Sequence, residues 1–309
     1  MKLNRKDILG LREMERGEIE SILETAVGMK EILGRPVKKV PALRGRSMIT
    51  LFYENSTRTR TSFELAAKIM SAEAINIAVA QSSAAKGESL KDTLLTLRAL
   101  SADCVVIRHS HAGAPHFAAA QVPIPIINAG DGFHEHPSQG LLDLFTIQQH
   151  KSTLDGLNVT IIGDLMHSRV ARSATWGLLK IGAHVTLCGP DTLLPREFET
   201  TGARLETNCD AALEGADVVM MLRLQQERMD GVYLPGVREY SMLYGLNEKR
   251  LKRAKPDAIV MHPGPINRGV EISHEIADGP RSVILEQVNN GVAIRMALLY
   301  LVMGGGEAA

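Results

Sequence analysis

The chain is poor in cysteine, carries no surplus of either charge and lacks any long apolar run. Cys104, Cys188 and Cys209 are odd in number and widely spaced. That argues against a disulfide framework and predicts reduced, mostly buried thiols, as in a cytoplasmic protein. Lysine plus arginine number 35 and aspartate plus glutamate number 35. Without a global positive field, nonspecific nucleic-acid binding is not the expected task, and anionic ligands must be met by local arginine clusters. The apolar run at 296–303 is too short to cross a bilayer, and residues 1–11 lack the apolar centre of a signal peptide. No membrane partner is expected. Internal repeats and low-complexity tracts are also missing.

What is present is enough apolar residue for full cores, 45% of a 309-residue chain, a length that favours two domains. A helical pattern near 19–33 stops at Gly34 and Pro36. Strand-like runs then alternate with helical ones: strands at 48–53, 74–80, 104–107 and 124–127, helices at 63–70, 90–100, near 117 and at 139–151. After a break at 152–156 the rhythm restarts, with strands at 159–162, 185–188, 218–222 and 258–261 and a helix at 170–181. This predicts an α/β protein of two doubly wound parallel-sheet domains joined by interdomain helices. The expected bounds are 1–152 plus 282–309, and 153–281. The last helical pattern, 283–303, is long enough to return to the first domain.

Ligands on such sheets bind beyond the carboxyl ends of the strands. Polar segments follow several of these strands. The densest is Asn55-Ser56-Thr57-Arg58-Thr59-Arg60-Thr61. Hydroxyls and a guanidinium at a helix start make an anion cradle without a glycine-rich loop. Plain N-capping explains one hydroxyl but not the whole cluster. Arg108 ends another strand, where it can polarise a carbonyl or hold a phosphate oxygen. His109, His111 and His116 lack the spacing of a helical or zinc-finger site, so no metal is expected there. The glycine-rich run 129–133 leads into His136-Pro137-Ser138-Gln139, and the proline biases His136 toward extended backbone.

In the second half, Gly163-Asp164-Leu165-Met166-His167-Ser168-Arg169 joins a strand to a helix without the G-x-G-x-x-G fingerprint of dinucleotide binding. Arg169 at a helix start suits a carboxylate. Arg223 and Gln225 alternate, so in extended geometry both point the same way. Two arginines could clamp the two carboxylates of a dicarboxylic substrate. His262-Pro263-Gly264-Pro265 forms a rigid backbone edge able to accept hydrogen bonds.

Taken in order, these segments resemble the transcarbamoylase family across almost the whole chain, and its aspartate-specific branch in particular. The resemblance implies transfer of the carbamoyl group of carbamoyl phosphate to L-aspartate, without a cofactor. It assigns Ser56, Thr57, Arg58, Thr59 and Arg108 to the phosphate, His136 to the carbamoyl oxygen and Gln139 to the carbamoyl amide. It assigns Lys86, Arg169, Arg223, Gln225, Gly264 and Pro265 to aspartate. Arg58, Thr59, Lys86, Arg108 and His136 are the implied catalytic set. Ser82 and Lys86, in the small polar loop after Ala80, would reach a neighbouring subunit's site in a homotrimer; from the residues alone that loop reads as plain surface. A regulatory chain or a dihydroorotase could be a further partner. Transfer to ornithine is the alternative within the family, and a noncatalytic binding or scaffold role the alternative outside it. Ornithine is disfavoured because two arginines would repel its cation. Gly264 departs from the leucine of some relatives.

Overall fold

The computed structural model describes residues 3, 5–78, 87–225, 233 and 236–304. The chain forms two compact units, Met1–Leu142 with Asn289–Ala309, and Asp143–Val288. Both divisions fall inside helices, α5 (Pro137–His150) and α11 (Ile284–Met303), whereas the alternation of strand-like and helical runs suggests the connections at 152 and 282.

The first unit runs α1 (Arg16–Leu33), β1 (Ser47–Phe52), α2 (Thr57–Ile69), β2 (Glu73–Ala78), α3 (Leu90–Ala99), β3 (Cys104–His109), α4 (Ala114–Gln121) and β4 (Ile126–Asp131) before entering α5. Its sheet has the order β2-β1-β3-β4, with every pair parallel. Cys104, Val105, Val106 and Ile107 are all fully buried, so β3 is covered on both faces. One face packs Ile49, Leu51, Val105 and Ile107 against Leu94, Leu97 and Ala118 of α3 and α4. A segment at Ile8 bridges to Ile127 and lengthens the sheet beside β4; its charged neighbours hid it from the hydrophobic pattern. In α11, the buried Arg295 lies over the Phe63 ring, 5.2 Å from its centroid, and donates to the Gly291 carbonyl. No helix among the described residues is long and apolar enough to cross a membrane.

The second unit continues with β5 (Asn158–Ile162), α6 (Arg169–Ile181), β6 (His184–Cys188), β7 (Arg204–Glu206), α7 (Cys209–Leu213), β8 (Val218–Met221), α8 (Val237–Tyr244), α9 (Glu248–Leu251), β9 (Ile259–Met261) and α10 (His274–Ala277). Its parallel sheet has the order β7-β6-β5-β8-β9. Ile162, Val219, Met221 and Val260 pack with Leu213, Tyr240, Leu251 and Ile276 in one core. All three cysteines are buried and free, as their spacing predicts.

Two differences from the sequence reading have physical causes. Helix α2 begins at Thr57, six residues before Phe63, the first apolar residue that marks its buried stripe. The polar residues there occupy helical turns, not a loop. Strand β7 and helices α7 to α10 escape the hydrophobic pattern because they are three to eight residues long.

Candidate active site

In the first unit, β1, β3 and β4 are adjacent and parallel, so their carboxyl ends form one rim. Phe52 pairs with Arg108, and the Tyr53 N–H donates to the Arg108 carbonyl at 2.9 Å. The segment after β1 carries Ser56 as the N-cap of α2. Its side chain makes no capping hydrogen bond, so ordinary capping does not account for it. Thr57 and Arg58 are exposed on the first turn, and Thr59 is buried. The first turn of a helix offers N–H groups and a partial positive charge to an anion.

Arg108 is half-buried, 3.2 Å through Nε from Glu54 Oε2, and its Nη1 donates to the Ala129 carbonyl at 3.3 Å. Glu54 belongs to the same rim and was not singled out by the sequence reading, where a lone acid beside a hydroxyl cluster gives no signal.

The turn before α5 is held by a buried polar network. Asp131 Oδ1 accepts from Asn128 Nδ2 at 2.8 Å and from the Glu135 N–H at 3.1 Å. Its Oδ2 accepts from the Gly113 N–H at 2.7 Å and meets His134 Nδ1 at 3.1 Å. Burial alone would raise the Asp131 carboxyl, but the donors from His134, Asn128 and Gly113 outweigh it and hold it below its ordinary value. Glu135 in turn accepts from the Leu11 and Arg12 N–H groups at 2.7 and 3.1 Å. The turn bearing His136 is thus fixed from both sides. His136 is buried, with Ser138 Oγ 3.4 Å from its Nδ1, and Gln139 is also buried. Asp131 at the end of β4 and His134 in this turn group with His116 as three side chains that could hold a metal ion.

In the second unit the rim is formed by β5, β8 and β9, again adjacent and parallel. Arg169 is the first residue of α6 and is buried, behind the N-cap Ser168, whose side chain accepts from the Ala171 N–H at 3.0 Å. After β8, burial alternates: Leu222 and Leu224 are buried while Arg223 and Gln225 are half-buried. The alternation read from the sequence therefore holds, and its cause is the two leucines facing the core. Gln225 is fixed at both ends, its Nε2 donating to the His167 carbonyl at 3.0 Å and its N–H to Asp164 Oδ2 at 3.4 Å. Asp164 also accepts from His167 Nδ1 at 3.0 Å. Sequence reasoning passed over this buried pair, although an acid and a histidine three residues apart in a strand-to-helix turn are a usable signal.

Beyond β9, His262 is clamped. Its N–H donates to Gln287 Oε1 at 2.9 Å, its Nδ1 accepts from the Gly264 N–H at 2.8 Å, and its Nε2 lies 3.2 Å from Glu271 Oε1. Gly264 has φ of 67°, the left-handed region where a glycine is free of strain. The Gly264–Pro265 peptide is cis. Ser82 and Lys86 lie outside the described residues.

Two models of one family match the chain in succession. Residues 6–149 match the aspartate/ornithine carbamoyltransferase carbamoyl-P binding domain, and residues 155–302 match the Asp/Orn binding domain of the same family. The chain is 59% identical to an aspartate carbamoyltransferase catalytic subunit of Heliobacterium modesticaldum, covering 99% of this chain and 98% of that one. It is 60% identical to the corresponding subunit of Pelotomaculum thermopropionicum, with 99% of each covered. Among solved structures, aspartate transcarbamoylase from Trypanosoma cruzi in complex with carbamoyl phosphate and aspartate is similar with a TM-score of 0.87 at 32% identity, over 96% of this chain and 97% of that one. Ornithine carbamoyltransferase from Pyrococcus furiosus is similar with the same TM-score of 0.87 at 29% identity, over 99% and 100%. With two arginine-bearing rims on two parallel-sheet units, and with likeness running the full length, the chain belongs to the aspartate/ornithine carbamoyltransferase family.

Proposed function

We propose that the chain transfers the carbamoyl group of carbamoyl phosphate to the amine of L-aspartate, giving N-carbamoyl-L-aspartate and phosphate, a step of pyrimidine biosynthesis. The observation that carries the choice of acceptor is the pair of guanidinium groups in the second unit, buried Arg169 and half-buried Arg223. Two fixed positive charges match a dicarboxylate and repel the ammonium side chain of ornithine. The names of the relatives near 60% identity support the same acceptor.

Carbamoyl phosphate binds to the first unit. Ser56, Thr57, Arg58, Thr59 and Arg108 take its phosphate, using the open first turn of α2 and two guanidinium groups. Arg108 exchanges its contact with Glu54 for a phosphate oxygen. Thr59, Arg108 and His136 donate to the carbamoyl oxygen and stabilise the charge that develops on it, while Gln139 accepts from the carbamoyl amide. Aspartate binds to the second unit through Arg169, Arg223 and Gln225, with the backbone at Gly264 and Pro265 accepting from its amine. The neutral amine attacks the carbonyl carbon, the C–O bond to phosphate breaks, and the departing phosphate accepts the amine proton. No protein base is required. Orientation and fixed charge supply most of the acceleration, through arginine and histidine donors.

The working assembly is a homotrimer in the cytoplasm, with Ser82 and Lys86 of one subunit completing the site of the next. A regulatory chain or a dihydroorotase is compatible with it.

Turnover with carbamoyl phosphate and either amino acid tests the reading. Aspartate is expected to be carbamoylated and ornithine not. Turnover of ornithine alone would reassign the acceptor, and turnover of neither would leave a binding or scaffold protein.

A further inference from the structure

We propose that the first unit carries a transition-metal site, of the kind filled by zinc or cobalt(II), made by His116, Asp131 and His134. One donor atom from each of the three lies within 4.8 Å of the other two. Donors bound tetrahedrally to zinc at its usual bond lengths stand about 3.3 Å apart, so modest side-chain rotation would close the set. The His134 Nδ1 to Asp131 Oδ2 separation is 3.1 Å, a hydrogen bond whose proton a bound ion would displace. Two imidazoles and one carboxylate form a mixed N/O donor set suited to zinc and unsuited to magnesium or calcium, which prefer all-oxygen shells.

The surroundings are those of a held ligand set. Asp131 is oriented by three donors besides His134: Asn128 Nδ2 and the Glu135 N–H on Oδ1, and the Gly113 N–H on Oδ2. Outer contacts of this sort fix the direction of a ligating carboxylate. His116 Nε2 lies 2.9 Å from Glu13 Oε1, which places the ring proton on Nε2 and the lone pair on Nδ1. His116 Nδ1 is buried and makes no hydrogen bond among the described residues. A buried imidazole nitrogen left without a donor is a cost that a metal ion would relieve. A carboxylate holding the far nitrogen of a ligating imidazole is also the usual second shell of a zinc histidine.

The three ligands come from different elements: His116 from α4, Asp131 from the end of β4 and His134 from the turn before α5. Spacing along the chain therefore hides them, and the histidine set read from the sequence, 109, 111 and 116, omits His134. An ion here would tie α4 to the turn that leads to His136 and Gln139, without touching the residues assigned to either substrate. It would brace the first unit.

The test uses the full chain, stripped by dialysis against a chelator and titrated with cobalt(II), then zinc. One cobalt per chain is expected, with the intense visible bands of low coordination number, displaced by one zinc. His116→Gln and His134→Gln should each weaken binding at least tenfold and abolish the bands, with unchanged far-ultraviolet circular dichroism. His274→Gln, which alters a histidine outside the cluster, should bind as the parent does. His116→Gln should keep its carbamoyl-transfer rate within a few-fold. If His134→Gln fails to fold, His116→Gln on α4 decides alone. Absence of stoichiometric cobalt binding, or equal binding by parent and His116→Gln, would overturn the site. Cobalt binding is read without substrate, so its failure is distinct from failure of the proposed reaction.

Discussion

A Cβ placed on Gly163 would stand 2.7 Å from both the Cβ and the carbonyl oxygen of Leu222. Gly163 also has φ of 145°, a conformation other residues rarely adopt. The end of β5 is therefore in direct contact with the segment that presents Arg223 and Gln225. Gly163→Ala should cost about 1–3 kcal/mol in stability from backbone strain and crowding. It should also raise the KM for aspartate more than that for carbamoyl phosphate, because position 222 must shift. Denaturant unfolding together with steady-state kinetics checks both. An unchanged aspartate KM would show that the contact does not set the position of Arg223.

Arg58→Ala should lower kcat about 10²–10³-fold, the usual result of deleting one preorganised donor to developing charge. The basis is the exposed guanidinium on the first turn of α2, next to an N-cap side chain that is not used for capping. Rates at saturating substrates are the measurement. Near-normal turnover would remove Arg58 from the phosphate site.

For Arg223→Ala, the expected loss falls on the other substrate. The apparent KM for aspartate should rise by at least tenfold while direct binding of carbamoyl phosphate stays near normal. The reason is that Arg223 follows β8 in the second unit, whereas the residues proposed for the phosphate follow β1 or lie near the end of β3 in the first. Equal weakening of both ligands would count against separate binding units.

The proposed sharing of sites between subunits of a trimer has a quantitative signature. Arg58→Ala and Lys86→Ala chains, each nearly inactive as homotrimers, are dissociated, mixed equally and reassembled. About three quarters of random trimers are mixed, and each has one repaired site in three, so about a quarter of wild-type activity should return. Mixed trimers confirmed by mass spectrometry but lacking activity would place Lys86 in its own subunit's site or in none.

The fold class was legible in the sequence because its signal is periodic. Val105, Val106 and Ile107, or Val218 to Met221, are continuous apolar runs, and such runs alternating with amphipathic helices demand a parallel sheet covered on both faces. The rims were legible for the same reason, since polar residues just past a strand end stand out. Less visible were features with no period. Thr57 to Arg60 are polar and begin a helix whose apolar stripe starts only at Phe63. Arg204 to Glu206 are too few to alternate. Contacts between distant positions leave no mark at all: Glu54 beside Arg108, Asp164 beneath Gln225 and His116 near His134 depend on strand order, which a single sequence does not encode locally.

The division of the chain has a consequence for how the protein is made. Residues 143–288 are continuous, so the second unit has all of its parts once they have left the ribosome. The first unit begins earlier but takes residues from 289 onward, including most of α11 with Arg295 against Phe63. Domains commonly fold as units during synthesis, in the order they emerge. Here the order of completion is reversed, and the older half of the chain is complete only when the newest helix brings Arg295 to the Phe63 ring.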